Sequence, residues 1–253
     1  MRSILILGGT TEARLLAEAL APRSGLAVML SLAGRTRAPV AMPGPVRSGG
    51  FGGVAGLAAW LRREGVDLLV DATHPFAAIM SGNAVAAAAE TSIPLIALRR
   101  PEWQRQDGDL WTEVEDAAAA ITALGSVGRR VFLTLGRQDA HVAEAAPQHD
   151  YLIRSVDPID PPLAVPAARY LLERGPFSTA GDLALMRDAA IDVVVAKNSG
   201  GSASYGKIAA ARALGLPVIL IRRPTLPDVP AVATVEAAVA AIDHAFAAAE
   251  RGA

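Results

Sequence analysis

Gly8-Gly9-Thr10-Thr11-Glu12 lies where the apolar run Ile4-Leu5-Ile6-Leu7 hands over to a helical pattern. Glycines at such a handover let backbone approach a phosphate, and the helix start adds N–H groups and a positive dipole end. Thr10 and Thr11 bring hydroxyl donors. Gly8 and Gly9 are adjacent and Ala13 holds the small-residue position, so the full G-x-G-x-x-G spacing is not met. A tight strand-to-helix turn without a ligand is the plain alternative, and context has to decide.

A second strand ends in Ser31-Leu32-Ala33-Gly34-Arg35-Thr36-Arg37. A fold built for NAD places an acid there to hold the ribose hydroxyls. This chain has arginines and hydroxyls instead. Arg35, with Ser31, Gly34 and Thr36 around it, suits the 2′-phosphate of NADPH, because a guanidinium forks onto phosphate oxygens. A solvated basic turn is the competing reading. Asp71-Ala72-Thr73-His74-Pro75-Phe76 closes another strand. Ligands of open parallel sheets bind at carboxyl strand ends, so Thr73, His74 and Pro75 are placed to border the nicotinamide or the substrate.

A donor-rich loop runs Lys197-Asn198-Ser199-Gly200-Gly201-Ser202-Ala203-Ser204-Tyr205-Gly206-Lys207. Lysines, hydroxyls and backbone N–H groups of such a loop can take carboxylates. Its spacing fits no Walker pattern, and a flexible Gly/Ser linker is the alternative. Lys197, Asn198, Ser199, Gly200, Gly201, Ser204 and Lys207 are the candidate substrate ligands. Gly136-Arg137-Gln138-Asp139 points a further arginine, Arg137, to the same place. No residue stands out as a proton donor; Tyr205, His74 and a bound water are the candidates. His141, His149 and His244 show no metal-ligand spacing, and no metal is expected.

The elements that must carry these residues occur twice. Arg2 to Gly8 resembles Arg130 to Gly136, and Val66 to Val70 resembles Ile191 to Val195. Ile93 to Pro101 resembles Leu216 to Pro224, both ending Arg-Arg-Pro. Val114 to Ala118 resembles Val235 to Val239. Four weak matches in the same order imply a duplicated unit. The periodicity predicts strands at 3–7, 27–32, 45–48, 67–71 and 94–98, with helices after the first and at 54–64 and 79–90. The second half repeats this with strands at 131–135, 151–155, 192–196 and 217–221, a helix from Ser178 or Thr179 to 188, and one at 206–214. Alternation of this kind gives right-handed crossovers and parallel sheets. The expected fold class is α/β: two similar Rossmann-like halves, each a mostly parallel sheet flanked by helices, facing a central cleft. Residues 1–125 would form the nucleotide half and 126–253 the substrate half, with the last helix, 234–249, packing on either.

Composition removes whole classes of function. The chain has 253 residues, 52% apolar and 19% charged, enough to bury a core. A net charge of −1 offers no field for nucleic acid or a membrane surface. With no cysteine, disulfides and thiolate chemistry are excluded. The apolar N-terminal stretch is too short for a signal peptide, and no apolar run reaches a spanning length, so a cytoplasmic location is expected.

Taken together, Ile6 to Glu12, Asp71 to Phe76, Gly175-Pro176-Phe177-Ser178 and Ala196 to Gly201 resemble the precorrin-6A reductase family of cobalamin biosynthesis, over nearly the whole chain. The resemblance implies an oxidoreductase acting on a CH–CH bond with NADPH. Hydride would go to carbon 19 of a tetrapyrrole macrocycle and a proton next to it. It implies a carboxylate-fringed substrate, with neighbouring pathway enzymes as candidate protein partners. A two-domain nucleotide-dependent transferase, another NADPH-dependent reductase and a two-lobed solute-binding protein are the alternatives.

Overall fold

In the computed structural model the described residues are 1–34 and 44–251. The chain divides into two compact units, one formed by Met1–Pro101 with Pro224–Ala253 and the other by Glu102–Arg223.

The first unit contains β1 (Arg2–Leu7), α1 (Thr11–Leu20), β2 (Leu26–Leu32), β3 (Val46–Ser48), α2 (Gly53–Arg63), β4 (Leu68–Asp71), α3 (Ala78–Thr91) and β5 (Leu95–Leu98). Its sheet has the order β12-β5-β4-β1-β2-β3, where β12 (Ala231–Val232) comes from the end of the chain. Every pairing is parallel. Ile4, Leu5, Ile6 and Leu7 are all buried, as a central strand covered on both faces requires. Alternate residues of β1 serve opposite layers. Ile4 and Ile6 pack with Leu16 and Leu20 of α1. Leu5 and Leu7 pack with Leu57 and Leu61 of α2 and with Ala84 and Ala87 of α3. The last helix, α7 (Val235–Arg251), adds Ala238 and Ile242 to the α1 layer.

The second unit contains β6 (Leu110–Val114), α4 (Ala117–Thr122), β7 (Arg130–Thr134), β8 (Asp150–Ser155), β9 (Ala168–Leu172), α5 (Thr179–Asp188), β10 (Val193–Lys197), α6 (Gly206–Leu214) and β11 (Pro217–Ile221). Its parallel sheet has the order β6-β11-β10-β7-β8-β9. The helix expected after β7 is a short 3-10 segment, Ala140–Ala145.

The repeat explains a boundary that differs from the expected one. Strand β6 follows β5 in sequence but pairs with β11, residue Val218 opposite Trp111. In return β12 follows β11 but pairs with β5, Ala231 opposite Ala97. Each repeat therefore gives its closing strand and helix to the sheet of the other. The division falls at 101/102, directly after the first Arg-Arg-Pro segment, and at 223/224, inside the second, and not at 125/126. In both sheets the chain reverses direction of growth at one place, between β1 and β4 and between β7 and β10. Crevices for ligands form at such reversals, outside the carboxyl strand ends. Among the described residues no helix is long and apolar enough to cross a membrane.

Candidate functional site

In the first unit the loops after β1 and β4 meet at the reversal. Thr10 is the N-cap of α1: its Oγ1 accepts the Ala13 N–H at 3.1 Å and donates to the Ala72 carbonyl at 2.8 Å. The Arg14 N–H goes to the Thr10 carbonyl. Helix geometry leaves the first four N–H groups without intrahelical partners, so those of Thr11 and Glu12 remain for a ligand. The Thr10 hydroxyl proton is thus directed at the Ala72 carbonyl.

The two glycines do different jobs. A Cβ on Gly8 would stand 2.7 Å from Leu30 Cδ1 and 3.3 Å from Ala13 Cβ, so Gly8 lets α1 close onto β2. Gly9 has φ +111°, a region that L side chains rarely adopt, and a Cβ there would meet nothing within 4 Å. Backbone is thus bare where a phosphate would approach. The Glu12 carboxylate is paired with Arg100 at 2.6 Å, with both side chains largely covered. Its negative charge at the helix start is neutralised from the end of β5.

Asp71 is buried and accepts from the Thr73 hydroxyl at 2.7 Å and the Thr73 N–H at 3.2 Å. The Thr73 hydroxyl also lies 3.4 Å from Ser81 Oγ in α3. His74 Nδ1 accepts the Phe76 N–H at 3.3 Å, which puts the proton of a neutral ring on Nε2. The His74 carbonyl accepts from Ala77, so Pro75 sits inside a tight turn leading to α3. These bonds fix the loop geometry, and they consume the Thr73 proton.

Ser31 is buried at the end of β2, and its carbonyl accepts the Gly8 N–H at 2.9 Å. Gly34 has φ +70°, and a Cβ on it would be 3.2 Å from Gly49 N. Arg35 and Thr36 lie outside the described residues. Arg47, which sequence reasoning passed over, stands on β3 directly opposite Ser31.

In the second unit the reversal is spanned by an ion pair. Lys197, the last residue of β10, is bound to Asp139 of the loop after β7. Arg137 follows Gly136, which has φ +81°. The loop from 198 onward is built around Trp103. Asn198 Oδ1 accepts the Trp103 N–H at 2.9 Å and Nδ2 donates to its carbonyl at 3.2 Å. The Trp103 indole donates to the Gly201 carbonyl at 2.7 Å. Arg223 holds the Asn198 and Ser199 carbonyls at 3.0 and 3.1 Å. Gly200 and Gly201 are both left-handed.

Two of the expected substrate ligands, Asn198 and Lys207, are bonded into the loop's scaffold. The Asn198 amide is spent on Trp103. Lys207 is buried, donates to the Ser204 carbonyl at 2.8 Å and stands over the Trp103 ring. The Tyr205 hydroxyl accepts from Arg212, which is also paired to buried Asp109 at 2.8 Å. The Gly175 to Ser178 turn joins the same scaffold: the Phe177 N–H bonds the Ala203 carbonyl, and Ser178 caps α5. A cavity of about 300 Å³ lined by Trp103, Arg105, Asn198, Leu220, Arg222 and Arg223 opens at the carboxyl ends of β10 and β11.

Residues 3–243 match the family described as Precorrin-6x reductase CbiJ/CobK. A precorrin-6A reductase from a Sinorhizobium species is 55% identical over 241 residues, covering 95% of this chain and 92% of the relative. A second, from Rhodobacter capsulatus, is 55% identical over 236 residues, covering 93% and 94%. The solved structure titled CobK precorrin-6A reductase superposes with a TM-score of 0.93 at 53% identity, covering 97% of each chain.

Proposed function

The chain belongs to the precorrin-6x reductase family, and on that premise we propose that it reduces precorrin-6A to precorrin-6B with NADPH, as an oxidoreductase acting on a CH–CH bond. The observation that carries the cofactor half of this reading is the bare backbone at Gly9, set at the reversal between β1 and β4. Its chemistry fits a dinucleotide: left-handed glycine, N–H groups at a helix start, and Glu12 neutralised by Arg100.

NADPH, when bound, supplies the hydride. The chain's own residues position and neutralise. The N–H groups of Gly9, Thr11 and Glu12 would hold the pyrophosphate. The turn at Thr73, His74 and Pro75 would border the nicotinamide, kept rigid by Asp71 and Ser81. Lys197, oriented by Asp139, with Arg137 and the N–H groups of Gly200 and Gly201, would take carboxylates of the macrocycle. A cationic anchor suits a carboxylate arm, since the charge-assisted bond is both strong and directional.

Turnover by purified protein tests this. Precorrin-6A with 4-deuterated NADPH is expected to give a reduced macrocycle carrying one deuterium. Oxidation of NADPH without deuterium in the tetrapyrrole, or no oxidation at all, would overturn the proposal.

A further inference from the structure

We infer that Arg47 reads the 2′-phosphate of the nucleotide and sets the preference for NADPH over NADH. This rests on the reading that the first unit holds NADPH.

Position comes first. The carboxyl end of β2 is where a dinucleotide fold reaches the ribose next to the adenine. In the register of the two strands Arg47 lies opposite Ser31 at that end, and its Nη1 is 3.5 Å from Ser31 Oγ. The residues described there, Ser31 to Gly34, include no carboxylate to hold a ribose diol.

Charge points the same way. Each other described arginine side chain of this unit, Arg99 excepted, is paired with a carboxylate: Arg2 with Asp67, Arg14 with Glu18, Arg23 with Asp243, Arg62 with Glu90, Arg63 with Glu64, Arg100 with Glu12. No described carboxylate pairs with Arg47. Partial burial, and then the nearby Arg63 cation, push its pKa down, so the site favours a bound anion.

Geometry makes the guanidinium ready. Its plane lies over the Phe51 ring, 3.7 Å from the centroid. Nη1 donates to the Gly49 carbonyl, and Nη2 to the Gly50 carbonyl at 2.6 Å. Two carbonyls and a ring thus hold a side chain that would otherwise lose rotamer freedom on binding. Nε and one Nη2 proton have no acceptor among the described residues. Adjacent donors of that kind match two oxygens of a phosphate. There is room beside them: a Cβ on Gly49, Gly50, Gly52 or Gly53 would meet nothing within 4 Å.

Competition of 2′,5′-ADP and of ADP against bound NADPH, read by nucleotide fluorescence, tests the inference in wild type, Arg47→Ala and Arg47→Lys. The alanine variant is expected to lose about tenfold or more in affinity for NADPH and 2′,5′-ADP, the size of one charged hydrogen bond, while NADH and ADP bind as before. Lysine keeps the charge without the fork and should lose less, again for the 2′-phosphorylated ligands alone. It carries the test if the alanine variant does not fold. Equal weakening for both ligand classes would make Arg47 a loop support and overturn the inference, as would an unchanged preference. Wild-type protein that binds no nicotinamide nucleotide would overturn the underlying cofactor reading as well, and this is distinguishable because the variants then have nothing to lose.

Discussion

The Thr10 hydroxyl donates to the Ala72 carbonyl at 2.8 Å while accepting the Ala13 N–H at 3.1 Å. One side chain therefore starts α1 and ties the loop after β1 to the loop after β4. Thr10→Ala removes the cap and strands a carbonyl. A loss of about 1–3 kcal/mol in urea unfolding is expected, with weaker NADPH binding. Thr10→Ser should restore most of both, because the hydroxyl is the group that acts.

Arg154 and Asp182 form a buried ion pair, with the guanidinium between the rings of Phe132 and Phe177 at 4.7 and 4.1 Å. Removing one partner leaves a charge with poor access to water. Asp182→Ala is expected to cost about 3–5 kcal/mol of stability, and the double variant Arg154→Met/Asp182→Ala should recover much of it. Additive losses in the two single variants and the double would contradict the pairing.

Burial, with a smaller push from Arg129, holds the His149 imidazole below its ordinary value of about 6.5. The fold favours the neutral ring, whose Nδ1 accepts the Arg129 N–H at 3.2 Å. As pH falls the unfolded chain takes up the proton first. The contribution is whole above about pH 6.5 and is lost as pH drops through the folded value. Unfolding free energies between about pH 8 and pH 5 should fall towards the acid end, and His149→Asn should flatten that fall. Identical slopes in the two proteins would remove His149 from the account.

Lys197 and Asp139 make the corresponding tie in the second unit. Lys197→Ala is expected to raise the tetrapyrrole KM by about tenfold, with the KM for NADPH unmoved. Asp139→Asn should raise it less, since the ammonium remains but loses its orientation. A change in kcat alone would point instead to proton transfer.

Much of this was legible in the residues. Continuous apolar runs such as Ile4 to Leu7 and Val193 to Ala196 marked buried parallel strands, and the glycine turn marked the first ligand loop. Three of the four edge strands were not: β6, β9 and β12 are half exposed and lack a run of buried residues. The exchange of β6 and β12 could not be read from local pattern, although the matched Arg-Arg-Pro segments stand at the crossings. Within the site, residue type showed which loops were rich in donors. It did not show which donors were already committed: Asn198 and Lys207 serve Trp103 and Ser204, and those partners are set by tertiary packing. Arg47 was missed for the converse reason, since its meaning comes from lying opposite Ser31.

The central claim is that the turn at Gly9 holds NADPH. Titration of NADPH into wild-type protein and into Gly9→Val, followed by nucleotide fluorescence, tests it most directly. A β-branched residue at φ +111° cannot keep that backbone shape, so wild type should bind and the folded variant should lose about tenfold or more. Wild-type protein without NADPH binding, or a folded Gly9→Val that binds as tightly as wild type, would contradict the account.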